Sequence, residues 1–433
     1  MNTTLLIKNV HIIDPENGID KKGNIFVRDG KIEKVILGVD NTFEDCDALA
    51  IDGAGLYAAP GLIDVHVHFR DPGQTHKEDI ATGSRAAAKG GFTSVVMMAN
   101  TSPCIDNAET MAQVQKKAEC QPINVYATST VTKGLKGCEV SDFRAMAEAG
   151  AIGFTDDGIP IMDETLLEKA MAEIAKLDMP ISLHEEDPKL IDNPGVNAGE
   201  AAKKLGLLGA KREAEYTLIQ RDVDAAIRTG VRLNIQHIST KEGVEIIRRA
   251  RKKHDNIHAE ATPHHFSLTQ DAIAEYGTLA KMNPPLRETE DRMAIIEGLK
   301  DGTIELIATD HAPHAYEEKE QEFTKAPSGI IGLETSLALG ITNLVKPGHL
   351  SITELIGKMS VNPARLYGMN AGTLTPGQAA DIVIFDPNEE WTVDKFESKS
   401  SNSPFVGMKL TGKVKYTICS GNVVYKDTEG KNE

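Results

Sequence analysis

The chain contains the stretch Val65-His66-Val67-His68-Phe69-Arg70-Asp71-Pro72-Gly73, in which one residue separates two histidines. Alternate side chains of a β-strand share a face, so His66, His68 and Arg70 would point one way and the apolar residues between them the other. Buried polar groups need partners, and a metal ion is a common partner for paired imidazoles. The pair alone leaves both metal binding and a structural role inside a sheet open.

Length and composition limit the class of protein. A chain of 433 residues exceeds the usual single-domain size, which predicts one large domain and a smaller one. The formal net charge of -17 argues against a broad basic surface for nucleic acid. The cysteines are scattered, with no CxxC pair, so neither a disulfide framework nor a cysteine zinc site is indicated; they are Cys46, Cys104, Cys120, Cys138 and Cys419.

No targeting or membrane segment is evident. The first residues lack a basic start and a long apolar core, and no apolar run approaches the ~20 residues of a membrane span. We therefore expect a reduced, cytoplasmic protein that does not bind membranes.

Both ends of the chain have the sequence pattern of short β-strands. Residues 5–36 contain three strand candidates with a hairpin signal at Arg28-Asp29-Gly30, and residues 372–427 return to the same pattern. These ends predict a small discontinuous β-sandwich domain formed by residues 1–58 and 368–433.

The middle, residues 59–367, alternates strands and helices and predicts an α/β fold. Counting the opening stretch there are eight strand candidates, which favours a (β/α)₈ TIM barrel over an open sheet. The other strands are predicted at 93–98, 123–128, 151–154, 180–184, 232–237, 257–261 and 304–308. Helices are predicted at 79–89, 108–119, 142–149, 164–176, 211–228, 241–252 and 291–299.

Active-site groups of such barrels collect at the carboxyl ends of the strands, and these ends are polar here. Imidazole and carboxylate ligands without thiolate suit Zn, Mn, Fe or Co. The candidates are too many for one tetrahedral ion and fit two bridged ions: His66, His68, Asp157, His184, His237 and Asp310. Such a centre activates water and polarises a carbonyl, and Asp310 would pass a proton to a leaving nitrogen.

Three further motifs, read with the opening stretch, resemble a known family. Met98-Ala99-Asn100-Thr101, Asn283-Pro284-Pro285-Leu286-Arg287 and Ala308-Thr309-Asp310-His311-Ala312-Pro313-His314 are similar to motifs of the amidohydrolase superfamily, in particular of long bacterial dihydroorotases. The resemblance spans essentially the whole chain. It implies zinc-dependent, reversible cyclisation of N-carbamoyl-aspartate to dihydroorotate, the third step of pyrimidine synthesis.

The resemblance also implies roles for the metal ligands. His66 and His68 would bind a first zinc, with Asp310 as its further ligand and the catalytic base. His184 and His237 would bind a second zinc, and an aspartate would bridge the two ions. We choose Asp157 for the bridge because Gly158 lets the backbone approach closely, and Asp156 is the alternative.

Substrate recognition is expected to follow from charge, because both reactants carry carboxylates. Arg70 can hold a carboxylate through two parallel hydrogen bonds. By resemblance, Asn100 and His314 would complete the carboxylate site and Asn283 would contact the ring amide. Backbone groups near Gly329 could do the same. Asn100 and Asn283 could instead be turn formers.

The acidic segment Ala315–Phe323 follows His314 directly. It is either a solvated surface loop or, with the residues up to 328, a lid that closes over the substrate.

Two rival functions remain. A hydantoinase or allantoinase predicts a bridging carboxylated lysine, which is missing after the fourth strand, and gives Arg70 no substrate carboxylate to bind. A non-catalytic assembly subunit would be expected to lose metal ligands. The family pattern also implies a homodimer, and some relatives associate with aspartate carbamoyltransferase.

Overall fold

The computed structural model describes residues 4–38 and 49–428, so Cys46 lies outside the described residues. Fifteen strands lie in these two ranges: β1 (Thr4–Asp14), β2 (Ile19–Arg28), β3 (Lys31–Leu37), β4 (Leu49–Asp52), β5 (Tyr57–Pro60), β6 (Leu62–Val67), β7 (Phe92–Met97), β8 (Asn124–Ala127), β9 (Pro180–Leu183), β10 (Arg232–Ile235), β11 (Ile257–Ala261), β12 (Leu306–Ile307), β13 (Ile382–Thr392), β14 (Lys409–Cys419) and β15 (Asn422–Lys426).

Fourteen α-helices occur in the same described ranges: α1 (Ile80–Lys89), α2 (Ala108–Ala118), α3 (Phe143–Glu148), α4 (Glu164–Ala175), α5 (Glu200–Lys204), α6 (Glu213–Thr229), α7 (Lys241–Arg251), α8 (Pro263–Ser267), α9 (Ala272–Tyr276), α10 (Thr289–Lys300), α11 (Tyr316–Lys319), α12 (Ser336–Gly340), α13 (Ile352–Met359) and α14 (Val361–Leu366). Shorter 3₁₀ segments span Lys133–Leu135, Pro188–Leu190 and Gly277–Ala280, and a π-helical turn spans Ile341–Val345. Within the described part of the chain, no helix is both long and apolar enough to cross a membrane.

Strands β6 to β12 form a closed parallel barrel. β6, β7 and β8 pair in one group, and β9 to β12 pair in another. Parallel bridges from Ser129 to Phe154 and from Phe154 to Ile181 join the groups on one side, and a bridge between Val67 and His311 joins them on the other. The predicted (β/α)₈ barrel is confirmed.

The fourth barrel position is shorter than the strand predicted over 151–154. It consists of an isolated bridge at Phe154, whose amide still donates to the first carbonyl of β9. The chain then turns, because the carboxylate of Asp156 accepts hydrogen bonds from the amides of Val131 and Thr132. These hydrogen bonds to a side chain replace the strand pairing, which ends at Phe154.

The seven helices predicted between the strands correspond to α1 to α4, α6, α7 and α10, with ends that agree within a few residues. Local caps explain where several of them begin. At α1 the carboxylate of Asp79 accepts from the Thr82 amide, while the Thr82 hydroxyl accepts from the Asp79 amide. Such reciprocal capping satisfies two amides that have no partner within the helix.

The two chain ends form the predicted β-structure, with a hydrophobic core of its own. Their strands form one continuous eight-stranded sheet in the order β15-β14-β13-β5-β1-β2-β3, with β4 beside β1. The reason is that β5 pairs with β1 on one side and with β13 on the other, which joins the two ends directly. The sheet curls so that residues 30–32 bond to residues 378–380.

The proposed division of the chain into residues 1–58 with 368–433, and 59–367, stays a prediction. Its first boundary falls inside β5, which pairs with both ends of the chain and leads after one residue into β6 of the barrel. The two predicted units therefore share an uninterrupted stretch of buried backbone.

A tight contact between α1 and the opening stretch supplies the first test. A Cβ added at Gly83 would lie 2.4 Å from ring atoms of the buried Phe69. We expect Gly83→Ala to lower the free energy of unfolding by about 1–3 kcal/mol, because the enclosed ring has little room to shift. Thermal denaturation followed by circular dichroism measures the change.

Gly357→Ala is the matched control, since Gly357 also lies inside a helix and its nearest neighbour, Pro15, would be 3.7 Å from the new Cβ. Alanine there should keep or raise the melting temperature, because it restricts the unfolded chain. Equal melting temperatures for the two variants would contradict the expectation.

Candidate metal centre and substrate pocket

The carboxyl ends of the barrel strands surround a cavity of about 160 Å³. At roughly 30 Å³ per water molecule, it has room for a small single-ring compound. The lining residues are His68, Arg70, Asn100, Asp157, Gly158, His184, His237, Asn283, Asp310, Ala312, Ser328 and Gly329. His66 lies beneath His68, and His314 lies beside Arg70. The structure thus brings every residue predicted for the site into or next to one cavity.

Four of the predicted ligands form the first half of the cluster. Nε2 of His66 lies 3.5 Å from Asp157 Oδ1 and 3.4 Å from Asp310 Oδ1. Nε2 of His68 lies 3.3 Å from Asp157 Oδ2 and 3.0 Å from the same Asp310 oxygen. Both histidines therefore direct one ring nitrogen at the space between the two carboxylates.

The other two histidines form the second half. Nδ1 of His184 lies 3.0 Å from Nε2 of His237 and 3.9 Å from Asp157 Oδ1. The outer nitrogen of His184 is held by Glu186 at 3.1 Å. Asp157 thus lies within 4 Å of His66 and His68 in the first half and of His184 in the second, as expected of a bridging ligand.

These groups fit a metal centre. Two ligand atoms bound at 2.0–2.1 Å to one tetrahedral ion lie about 3.3 Å apart, which is close to the observed separations. Nε2 of His66 is buried and has no hydrogen-bond partner among the described residues, although it points into the cluster. With Nδ1 carrying the proton, Nε2 presents a lone pair, which needs a metal or a hydrogen-bond donor.

Electrostatics in the cluster also suit a cation. Burial by itself raises the pKa of Asp157, but the attraction of His66, His68 and His184 outweighs it and holds that pKa well below its usual range. Burial, together with the neighbouring His184 and His66, lowers the pKa of His237 well below its usual value. Asp157 is therefore ionised and His237 neutral, which are the forms that bind metals.

The choice between the two adjacent aspartates is decided by what each side chain contacts. Asp156 turns away from the cavity and accepts from the Val131 amide at 2.7 Å and the Thr132 amide at 3.0 Å. Asp157 faces the histidines. The geometry therefore agrees with the choice of Asp157.

Two hydrogen bonds fix the orientation of the first pair of histidines. Nδ1 of His66 donates to Glu260 at 2.5 Å, and Nδ1 of His68 donates to Asn100 at 3.0 Å. Asn100 in turn donates to Asp157 at 2.9 Å. The Asn100 side chain was predicted to bind the substrate. In this structure it is hydrogen-bonded to two candidate metal ligands, His68 and Asp157. Outer contacts of this kind set the ring tautomer and raise the basicity of the inner nitrogen.

Sequence reasoning missed Glu260. It lies fully buried on β11, where Asn234 of β10 also donates to it at 2.9 Å. A carboxylate between two alanines near the carboxyl end of a predicted barrel strand was a usable signal. The neighbouring His264 and His265, which the prediction left out of the site, are buried behind the cluster, and His265 bonds to Thr262.

Arg70, at the open side of the cavity, keeps donors available. Its Nε donates to the Pro313 carbonyl at 3.2 Å. His314 donates from Nε2 to the Ser328 carbonyl at 2.9 Å, because a carbonyl can only accept. That nitrogen therefore cannot accept from Arg70, whose terminal nitrogen lies 3.4 Å away. The guanidinium fork is left for a ligand.

Asn283 supplies the complementary group. Its Oδ1 is buried at the cavity and has no hydrogen-bond partner in the described part of the chain. A buried amide oxygen without a partner is unfavourable, so this atom is placed to accept from an N–H group of a bound molecule.

The chain is similar to known proteins over nearly its whole length. The amidohydrolase family model matches residues 57–424. The chain is 54% identical to a dihydroorotase of Clostridioides difficile over 97% of its own length and 99% of that protein. It is 51% identical to a dihydroorotase of Lactococcus lactis, over 98% of this chain and 99% of the relative.

Among solved structures, an L-hydantoinase from Arthrobacter aurescens superposes with a TM-score of 0.87 at 28% identity, covering 98% of this chain and 96% of that one. A dihydropyrimidinase from Brevibacillus agri, at 24% identity and a TM-score of 0.84, covers 98% and 95% and shares the fold. The chain belongs to the amidohydrolase family and, within it, to the dihydroorotases.

Replacing Glu260 tests the orientation of His66. We expect Glu260→Gln to weaken divalent-metal binding by about 10–100-fold, because the amide can present either end to the ring and no longer fixes its tautomer. Titration of metal-free protein with a chromophoric competitor measures the affinity.

Glu305→Gln is the control. Glu305 also pairs with a histidine of β11, His258, but His258 lies at the start of that strand, away from the cavity. Loss of affinity in both variants, or in neither, would show that the contact to His66 has no special role.

Proposed function

We propose that this cyclic amide hydrolase is a dihydroorotase, which converts N-carbamoyl-L-aspartate to (S)-dihydroorotate with loss of water and also runs the reverse reaction. The step is the third in the synthesis of pyrimidine nucleotides. The proposal is carried by identity of about one half, over nearly the whole chain, to proteins named dihydroorotase.

We propose Zn²⁺ as the cofactor, with two ions per chain. His66, His68 and Asp310 would hold one ion, His184 and His237 the other, and Asp157 would contact both. Bound zinc supplies a Lewis acid and lowers the pKa of water. The absence of cysteine from the cavity lining and the spacing of the nitrogen and oxygen atoms support this choice.

Asp310 is proposed as the residue that moves the proton. In ring opening, its carboxylate would take a proton from the attacking water and return it to the ring nitrogen as the amide bond breaks. In ring closure the same oxygen would take the proton from the carbamoyl nitrogen as the C–N bond forms, and would pass it to the hydroxyl group that leaves the carbon as water. Its position against both His66 and His68 supports this role, because it faces the centre of the cluster.

Arg70 is proposed to bind the substrate carboxylate through its free terminal nitrogens. Asn283 Oδ1 would accept from the ring amide, and the backbone at Gly329 would line the opposite wall. His314 would support Arg70 and, with Asn100, border the carboxylate. The neutral state of His314 supports this arrangement, since burial and the nearby Arg70, Lys77 and Lys319 lower the pKa of His314 to about 2.

The structural similarity to hydantoinases keeps one alternative in view, because a shared barrel does not define a substrate. Two features argue against a hydantoinase or allantoinase. No lysine lines the cavity in the described residues, and Arg70 offers a cationic fork that a neutral ring does not need. A non-catalytic assembly subunit is disfavoured because all six candidate ligands are present and converge. A homodimer, association with aspartate carbamoyltransferase and a cytoplasmic location stay predictions.

Substrate preference tests the function directly. Purified metal-loaded protein should hydrolyse dihydroorotate with a higher kcat/KM than hydantoin or allantoin. Dihydroorotate loss can be followed by its ultraviolet absorbance. Turnover of hydantoin without turnover of dihydroorotate would establish the rival function.

Replacement of Asp157 and replacement of Asp310 are expected to have different effects on metal content and turnover. Asp157→Ala should lose bound metal, because it removes the carboxylate shared by both halves of the cluster. Asp310→Ala should retain much of the metal but lose turnover by about 10²–10⁴-fold, the usual contribution of a general acid–base group. Metal content by atomic emission, measured alongside kcat, separates the cases. If Asp157→Ala keeps metal and activity, Asp157 does not form the bridge.

Replacing Arg70 tests charge recognition. Arg70→Lys keeps the charge but removes the paired hydrogen bonds, so kcat/KM for dihydroorotate should fall about 10–100-fold with metal content unchanged. Arg228→Lys is the control, because Arg228 pairs with Glu168 on the exterior of the barrel through a similar two-bond contact. An unchanged kcat/KM in Arg70→Lys would remove Arg70 from substrate binding.

A further inference from the structure

Two lysines lie buried next to the substrate cavity. Lys281 is 2% exposed and Lys319, in the short helix α11, is 3% exposed. Lysine is rarely buried this completely without an acidic partner. In the described part of the chain, the hydrogen-bond partners of both ammonium groups are backbone carbonyl oxygens.

Lys319 reaches forward along its own loop. Its Nζ donates to the carbonyl of Pro327 at 2.8 Å and to that of Gly329 at 3.1 Å, and it lies 3.5 Å from the carbonyl of Lys281. An ammonium has three N–H donors, so these three oxygens match its full donor capacity.

Lys281 holds the preceding turn of the same loop. Its Nζ donates to the Phe323 carbonyl at 2.6 Å and to the Ala326 carbonyl at 2.7 Å. Its own backbone carbonyl accepts from the Gly329 amide at 2.9 Å. The two lysines together therefore hold four carbonyls between residues 323 and 329.

Burial makes the charged form of both lysines less favourable. Burial and the proximity of Lys281 lower the pKa of Lys319 to about 7, and burial also lowers the pKa of Lys281. A fold that needed only packing at these positions would be better served by apolar side chains. Their placement points to a task that requires hydrogen-bond donors on this stretch of backbone.

The stretch they hold is one wall of the cavity. Ser328 and Gly329 line it, and the Ser328 carbonyl accepts the proton of His314. Gly329 has a φ of 131°, and a Cβ there would lie 3.1 Å from Nε2 of His314 and 2.8 Å from Ala312. A small shift of this backbone would therefore displace the side chain beside Arg70.

We propose that Lys281 and Lys319 are positioning residues, whose ammonium groups fix the Pro327–Gly329 backbone as the wall against which the substrate binds. This inference rests on the proposed function only for the choice of substrate. It narrows the lid hypothesis, because movement of residues 323–328 would require breaking the hydrogen bonds to both ammonium groups.

Lys319→Met tests the proposal, since methionine fills a similar volume without a donor. We expect KM for dihydroorotate to rise about ten-fold, as for loss of hydrogen bonds to a charged group, while kcat and metal content stay close to those of the unmodified protein. Lys325→Met is the matched control, because Lys325 lies on the same loop but is exposed and pairs with Glu322. A purely structural role would lower stability without raising KM selectively.

Equal KM values for Lys319→Met and Lys325→Met would overturn the inference while leaving the proposed function intact. If the unmodified protein does not turn over dihydroorotate, the proposed function fails, and the inference is then judged by hydrogen–deuterium exchange.

Hydrogen–deuterium exchange on the unmodified protein also covers the case in which Lys319→Met does not fold. The amides of Gly329 and Ile331, which donate to the carbonyls of Lys281 and Asn402, should exchange as slowly as those of the barrel strands. Exchange as fast as that of the exposed residues Tyr316 and Glu317 would overturn the proposal. Lys319→Gln adds an intermediate variant, since its amide retains two N–H donors and is expected to give a KM between the other two.

Discussion

Four imidazoles and two carboxylates, all largely buried, meet within a few ångströms at one end of the barrel. Such a cluster is unfavourable unless a cation shares its lone pairs and charge. The surrounding structure holds these six side chains in the arrangement that a cation requires. The six ligands come from five separate places in the chain, and a rigid barrel is what keeps their inner atoms about 3 to 4 Å apart.

Neighbouring residues form hydrogen bonds to the ring nitrogens that do not face the centre of the cluster. His66 is held by Glu260, His68 by Asn100 and His184 by Glu186, so each ring has one nitrogen secured and one directed inward. The backbone also contributes, because Arg70, His237 and Asp310 have positive φ angles of 58°, 30° and 47°. These conformations are uncommon for residues with a side chain, and three of the eight such residues in the described ranges lie at this site.

The substrate side of the cavity depends on parts of the chain that are remote in sequence. Asn402, near the carboxyl end, donates to the carbonyls of Ala312 and Gly329 and accepts from the His314 amide. It therefore ties the strand-end motif that carries Asp310 to the loop that the two lysines hold. The sheet formed by the chain ends supports the barrel at β5, where its backbone continues into β6.

The sequence by itself determined the barrel, its helices and the residues that converge at its rim. Hydrophobic periodicity and strand-end polarity are local signals, and a closed parallel barrel always brings its strand ends together. Its motifs also indicated the family. The two-residue spacing of His66 and His68 was sufficient to direct both rings to one face.

Only the tertiary structure decided which of Asp156 and Asp157 faces the cluster, because both neighbours follow the same strand position and differ in partners that lie 24 or more residues away. It also revealed Glu260 behind His66 and the carbonyl partners of Lys281 and Lys319. It also showed how the two chain ends join, since pairing of β5 with β13 connects segments more than 300 residues apart. The local sequence specifies which hydrogen bonds a side chain can form, whereas the fold decides which distant residue is close enough to form them.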